Sequence, residues 1–569
     1  MRDGETEITA EAYLGRLAER GIEYVFANAG TDFASIIEAV ARNHNGRRKY
    51  PKVVTVPHEN VAMSMAHGYY RISGKPACVM VHVNVGTANA LNGLVNAARD
   101  NVPVLLAAGR TPLTETGSIA SRNRSIHWGQ EMFDQGGMVR EIVKWDYELR
   151  TGQPVTALVD RALDIAMSEP RGPVYMTLPR EVLASPAVAA RRDGSARSLG
   201  AAPAVPSESA IEDAAAILAG AEFPLIITSS AGRAPAAMAE LAALANEFAL
   251  PVVQNEARDI NLPTDHPMHL GFESASWLGK ADAILVLDSV VPWIPRTTGP
   301  KAGAKIIHMS PDPLAARYPF REVEADLLVT GETRTALALL RRALAEATKG
   351  KQAALDARRK AVTAAHEELM VKRRQVLESA RSQSPIHPAW LAACVNEQKA
   401  KDAIVVSELG LNVGQLDLTV PGSYMGNLLS GGLGFGLGAA LGAKIAAPDR
   451  EVIVAVGDGS YMFGNPLPFH YMAHAENLPT LTIVANNHSW HAVRRATLDV
   501  YPEGAASKAN SMVLTDLKPS PSYEKTIETV GGYGEKVENP AELPAALKRA
   551  LAKVRAGTPA LLNVHTHGR

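Results

Sequence analysis

The sequence predicts an α/β protein made of three doubly wound parallel-sheet units, and three observations predict it. Short apolar runs rich in β-branched residues recur along all 569 residues, most of them too short for a helix and bounded by glycine, proline or asparagine. The stretches between them have helical spacing, so strand and helix alternate as they do around a parallel sheet. A Pro/Ala/Ser/Gly-rich segment and a long charged, Ala-rich segment then break the rhythm twice. Length agrees, because one hydrophobic core stops growing well short of this size. A hydrophobic content of 46% and a charged content of 21% are those of an ordinary soluble protein. A net charge of −1 leaves no global field to attract nucleic acid or an anionic membrane.

The first unit is expected over 1–183. A helix is followed by the strand Tyr24–Ala27, which runs into the turn Asn28–Asp32. Arg42, Arg47, Arg48 and Lys49 fall in a segment that reads as a solvated loop, since no aromatics flank them as a nucleotide patch would need. The strand Val53–Val56 leads through Pro57 and His58 to Glu59, just before an Ala-rich helix over 61–70. The strand Val79–His82 ends on a histidine, and further strands are expected at 104–108 and 172–178. Residues 184–209 read as a linker. A central unit over 210–340 carries strands at 225–228, 283–287 and 305–308. A helical connector over 341–383 has Lys349-Gly350-Lys351 as its one turn signal. The last unit, 384–569, begins with the strand Ala403–Val406.

The glycine-dense stretch Ser430–Gly442 does not follow a strand directly. It is therefore expected to be a helix whose small face packs on the sheet, not a dinucleotide fingerprint. Cys78 and Cys394 lie in apolar surroundings, which suits buried thiols better than a disulfide. Met1–Glu7 is charged and has no apolar leader region, and no uncharged run is long enough to cross a bilayer, so a cytoplasmic protein is expected.

Chemistry concentrates in the last unit. The apolar run Glu451–Val456 ends in Gly457-Asp458-Gly459-Ser460; a helical stretch over 460–478, interrupted by Pro466 and Pro468, follows. The next run, Leu481–Ala485, ends in Asn486-Asn487. Two neighbouring strands thus each present an oxygen-bearing side chain at the carboxyl edge, where ligands of open α/β sheets collect. One carboxylate and one amide oxygen suit Mg²⁺ and not zinc. Asp458, Asn487 and the Ser489 carbonyl can clamp such an ion to a diphosphate, although each side chain can equally cap its own turn. Glu59 sits at a strand end and before a helix, where the dipole favours it. Val56, Ala62 and Met63 around it also suit a carboxyl that shares a proton with a ring nitrogen. His82 is either a hydrogen-bonded strand-end residue or a proton relay.

The spacing of the Gly-Asp-Gly and Asn-Asn pairs across 460–485 resembles the thiamine diphosphate (ThDP) signature. Over nearly its whole length the chain is similar to the ThDP-dependent 2-oxo acid decarboxylase and acetolactate synthase family. The matching stretches are His82 with Gly86, Thr87 and Asn89, then Val143–Glu148, Gly172–Tyr175, Pro421–Tyr424 and Gly431–Phe435. These motifs, and the Glu59-to-His82 spacing, are most like those of the benzoylformate decarboxylases.

The resemblance implies pyrimidine-binding, central and diphosphate-binding domains, and an active site shared between subunits of a homodimer or homotetramer. It implies that Glu59 bonds N1′ of the cofactor's aminopyrimidine, that the Gly431 carbonyl accepts from the 4′-amino group, and that Leu433 holds the cofactor bent. Gly457, Asp458, Gly459, Ser460 and Asn487 would hold the diphosphate, with Mg²⁺ on Asp458, Asn487 and the Ser489 carbonyl. His82 would act on the substrate. The expected activity is that of a ThDP- and Mg²⁺-dependent lyase or carboligase working on the C–C bond beside a 2-oxo group, with a small 2-oxo acid or aldehyde as substrate.

This chain also departs from the pattern. The central-unit histidine that benzoylformate decarboxylases use has no counterpart in Val290–Arg296, and His491 is the candidate to replace it. After the Asn-Asn pair the pocket positions are the small Val493 and Ala496. Arg494 and Arg495 between them either face solvent or suit an extra anion or a coenzyme A thioester. The segment 271–279 is no glycine-rich flavin segment, so FAD is not expected. Two further readings stay open: a 2-hydroxyacyl-CoA lyase with the same cofactor, and a non-catalytic scaffold of the same fold.

Overall fold

A computed structural model describes residues 6–46, 48–189, 198–322, 324–509 and 512–567. The first five residues, Arg47 and linker residues 190–197 lie outside the described residues. Among the described residues the strands form three parallel sheets, as the alternating pattern predicts. The first contains β1 (Tyr24–Ala27), β2 (Lys52–Thr55), β3 (Ala77–Val81), β4 (Val104–Arg110), β5 (Asp146–Glu148) and β6 (Val174–Pro179), in the order β2-β1-β3-β4-β6-β5. The second contains β7 (Pro224–Thr228), β8 (Val252–Val253), β9 (Ala283–Leu287), β10 (Lys305–Ser310) and β11 (Leu327–Thr330), in the order β11-β10-β9-β7-β8. The third contains β12 (Ile404–Glu408), β13 (Tyr424–Met425), β14 (Val452–Gly457), β15 (Leu481–Asn486), β16 (Tyr533–Val537) and β17 (Ala560–His565), in the order β13-β12-β14-β15-β17-β16. Central strands such as β3, β7 and β15 are buried along their whole length, which is why they read as unbroken apolar runs.

The chain divides into two compact units. One holds the first sheet together with 428–449 and 461–478; the other holds the second and third sheets. Within the first unit the glycine-dense stretch corrects the sequence expectation. In its helix, Phe435–Ala446, Gly438 and Gly442 face the helix Glu59–Ser73 where the sheet was expected. A Cβ on Gly442 would stand 1.9 Å from the Met65 carbonyl oxygen, and one on Gly68 would stand 2.0 Å from that of Ala439. The glycines therefore bring two helix backbones into contact, a job that a one-dimensional pattern does not assign to any partner.

Other elements shift in detail. The connector is two helices, Thr333–Ala347 and Gln352–Ala380, parted at the one turn signal, with Gly350 left-handed at φ 78°. Pro466 does not interrupt a helix but starts one, Pro466–Ala475, at the position where a missing N–H costs nothing. Cys78 and Cys394 are buried free thiols. Among the described residues no helix is long and apolar enough to cross a membrane.

Candidate active site

In the third sheet Gly457 pairs with Ala485, so Asp458 and Asn486 follow at the same level at the carboxyl edge. Asp458 opens the helix Asp458–Phe463 and is buried. Its Oδ1 accepts from the Gly459 N–H at 3.0 Å, while Oδ2 has no hydrogen-bond partner. Burial pushes the carboxyl up to about 6, against the pull of backbone amides of Gly459, His488 and Ser489. A buried carboxylate oxygen that no protein group satisfies is costly unless a cation takes it.

The two asparagines divide the work. Asn486 is structural: its Nδ2 donates to Asn563 Oδ1 at 3.2 Å, and its Oδ1 accepts from the His488 N–H at 3.1 Å. Asn487 is half-buried past the strand end, and its Oδ1 accepts from the Ser489 N–H at 3.0 Å and from the Ser489 hydroxyl at 3.2 Å. His488 between them turns the chain with φ 57°. The second glycine of the Gly-Asp-Gly turn has a packing reason: a Cβ on Gly459 would stand 2.3 Å from the Trp490 ring. The donors present, a carboxylate and an amide oxygen with carbonyls beside them, fit a hard octahedral cation such as Mg²⁺.

The first unit gathers a second group. His58 caps the helix Glu59–Ser73, with its ring accepting from the Asn60 N–H, so Glu59 occupies the first helical position and is buried. Glu59 Oε2 accepts from Asn89 Nδ2 at 3.2 Å. One turn on, Asn92 Nδ2 donates to Asn60 Oδ1 at 3.2 Å and to the Leu433 carbonyl at 2.9 Å. Asn96 Nδ2 donates to the Gly432 carbonyl at 2.8 Å, and its Oδ1 accepts from the Gly432 N–H and the Ser430 hydroxyl. Gly431 (φ 64°) and Gly434 (φ 83°) are left-handed and lift Leu433 between them, half-buried. The helix Val83–Arg99 thus ties Glu59 to the Gly431–Leu433 turn through Asn89, Asn92 and Asn96. Of these three, sequence reading noted Asn89 alone, although Asn89, Asn92 and Asn96 fall on one helix face.

His82 is the residue just before that same helix, and its side chain makes no capping bond to it. Its Nδ1 lies 2.5 Å from Asp32 Oδ1, and its Nε2 lies 3.1 Å from Gln130 Nε2. The Asp32 carboxylate raises the His82 pKa. Val83, next in the chain, adopts φ 34°, an uncommon conformation for a β-branched residue and a sign of local strain. A second histidine near His82 was missed in the sequence. His127 is buried, its Nε2 lies 3.4 Å from Thr31 Oγ1, and burial and the nearby Arg180, Arg122 and Arg124 lower its pKa. His491, a candidate from the sequence, heads the helix His491–Val500 and is half-buried there, with Arg494 half-buried and Val493, Arg495 and Ala496 exposed.

Comparison with known proteins finds relatives over nearly the whole chain. It is similar to a probable acetolactate synthase of Mycobacterium bovis, 26% identical over 558 residues that cover 97% of this chain and 94% of that one. It is also similar to benzoylformate decarboxylase of Pseudomonas aeruginosa, 27% identical over 571 residues, 97% of each chain. A probable 2-ketoarginine decarboxylase of Pseudomonas aeruginosa is 28% identical over 543 residues, 90% of this chain and 88% of that one. In fold the chain resembles the ThDP-dependent 4-hydroxybenzoylformate decarboxylase of Rhodococcus jostii, with TM-score 0.77 at 24% identity, covering 99% of this chain and 100% of that one. Models of the N-terminal TPP binding domain, the central domain and the C-terminal TPP binding domain of thiamine pyrophosphate enzymes match residues 8–138, 211–340 and 409–564. The chain belongs to the thiamine pyrophosphate enzyme family.

Proposed function

We propose that this protein is a ThDP- and Mg²⁺-dependent enzyme that cleaves or forms the C–C bond beside a 2-oxo group, as a decarboxylase or a carboligase. The observation that carries the reading is the buried Asp458, whose Oδ2 has no partner, at the carboxyl edge of the third sheet where the neighbouring strand runs out into Asn486-Asn487. Asp458, Asn487 and the Ser489 carbonyl would hold Mg²⁺, and Gly457, Gly459 and Ser460 would lie along the diphosphate. When bound, the coenzyme supplies a carbon nucleophile and an electron sink for the bond that breaks. Glu59 would hold a proton at the pyrimidine N1′, Gly431 would accept from the 4′-amino group, and Leu433 would set the bend. His82, whose pKa the Asp32 carboxylate raises, would donate in its protonated form to the substrate's carboxylate or carbonyl oxygen.

The synthases and decarboxylases among the relatives favour 2-oxo acids over acyl-CoA thioesters as substrates, and the intact Glu59, Asp458 and Asn487 argue against a scaffold. The family resemblance supports a homo-oligomer in which two copies of the chain complete each site. The test is a panel of 2-oxo acids, with CO₂ and aldehyde release followed, alongside calorimetric titration with ThDP and Mg²⁺. Release of CO₂ or a carboligation product that depends on both ligands is the expected outcome. Purified protein that never binds ThDP with Mg²⁺ would end the reading.

A further inference from the structure

His82 is held on both sides, by residues that no motif in the sequence marks. Asp32 lies in the short 3₁₀ turn Thr31–Phe33 after β1 and is 2% exposed. Its Oδ1 meets His82 Nδ1 at 2.5 Å, and its Oδ2 accepts from the Val83 N–H at 3.3 Å. The space for this contact is cleared by two glycines. A Cβ on Gly109 would stand 1.8 Å from Asp32 Oδ2, and one on Gly30 would stand 2.1 Å from His82 Nδ1. The carboxylate therefore bridges the imidazole and the first amide of the strained helix start.

On the far side Gln130 places its amide nitrogen 3.1 Å from His82 Nε2, and its own Oε1 is buried without a partner. That orphan oxygen is informative. With Nδ1–H given to Asp32, a neutral His82 accepts from the Gln130 amide and leaves Oε1 unsatisfied. A half-turn of the amide puts Oε1 against Nε2, which satisfies both atoms once Nε2 carries a proton.

We propose that Asp32 and Gln130 are the positioning residues of His82: Asp32 fixes Nδ1 and leaves Nε2 as the working nitrogen, and Gln130 occupies Nε2 at rest in either protonation state. The other charged groups facing this ring are Glu59 from the neighbouring helix, His127, and Arg110 and Arg180 on the walls of the pocket that Asp32, His127 and Gln130 line. Arg180 is engaged by the Ala120 and Ser121 carbonyls, and Arg110 by Glu131. Asp32 is therefore the anion in direct contact with the ring. As a device serving 2-oxo acid chemistry this inference rests on the function proposed above, but its physical content does not.

The test is a pH titration of His82 in the full cofactor-free chain carrying ¹³C-labelled histidine, with the resonance assigned by its loss in His82→Gln. In the wild type His82 is expected to titrate above free imidazole. Asp32→Asn, which keeps the shape, is expected to lower the midpoint by about one pH unit, an about tenfold smaller imidazolium population above it. Gln130→Leu is expected to lower it by less and to leave the Nδ1–H tautomer in place. In the holoenzyme the descending limb of the kcat/KM profile for a 2-oxo acid should move with the resonance, with ThDP affinity unchanged. An unmoved His82 midpoint in Asp32→Asn overturns the proposal, as does a wild-type midpoint at or below that of free imidazole. If Asp32→Asn does not fold, Gln130→Leu decides: an unshifted His82 midpoint there overturns the proposal and a lowered one supports it. Should no 2-oxo acid react while the resonance still follows Asp32, the function proposed above fails and the dyad stands.

Discussion

Replacing Asp458 by Asn separates what burial does to this carboxyl from what a cation does for it. In the cofactor-free protein the group is buried with Oδ2 unpartnered, and burial raises it to about 6. A carboxyl raised on folding stabilises the fold while it is protonated. That contribution is complete below the unfolded value of about 4 and is lost as pH climbs through the folded value. Above neutral pH the ionised group therefore costs the cofactor-free fold about 3 kcal/mol, from a displacement of about two pH units at about 1.4 kcal/mol each. Asn keeps the shape and the Gly459 contact but carries no charge. Scanning calorimetry from pH 5 to pH 8, with and without Mg²⁺ and ThDP, reads both effects. Without ligands, Asp458→Asn is expected to melt above the wild type at pH 8 and to converge with it at pH 5. Added Mg²⁺ and ThDP should raise the wild-type transition at pH 8 by mass action and leave the variant where it was. A variant that melts below the wild type at pH 8, or that gains the same ligand shift, refutes the reasoning.

Three further changes probe the remaining contacts. Glu59→Gln keeps the Asn89 contact but removes the exchangeable proton; turnover and C2-proton exchange of bound ThDP, followed by NMR, should fall by about a hundredfold or more. Gly442→Ala forces a Cβ to 1.9 Å from the Met65 carbonyl oxygen, so urea denaturation should show a loss of at least about 2 kcal/mol, whereas Gly220→Ala, which meets nothing within 4 Å, should be neutral or slightly stabilising. Gly459→Ala pushes into the Trp490 ring at 2.3 Å and should weaken Mg²⁺–ThDP binding by at least about tenfold in calorimetry, with the fold retained by circular dichroism.

Much of the architecture is legible from sequence because the central strands are buried on both faces and so read as apolar runs. β5 and β16 escape the same reading because Asp146–Glu148 and Tyr533–Val537 sit at sheet edges, half-exposed and polar along much of their length. β13, two residues long, is below what any period can show. Asp458 and Asn487 stand out in the sequence because they follow two successive strands at a fixed interval. Asp32, Gln130 and His127 do not, because the turn that holds Asp32 and the 126–130 segment that holds His127 and Gln130 meet only after folding and none of the three sits in a motif. The glycine stretch shows the limit from the other side: small residues announce close packing but do not say against what.

The seating of helix 435–446 on helix 59–73 has a mechanical consequence. With main chain resting on main chain at Gly68 and Gly442, there is no cushion of side chains for one rod to slide over, and a push on either is passed to the other. Glu59 begins one rod and the Gly431–Leu433 turn feeds the other, so acid and turn keep their spacing while the unit breathes. Whatever admits and releases small molecules in this unit is then carried by its loops, and this pair serves as their fixed anvil.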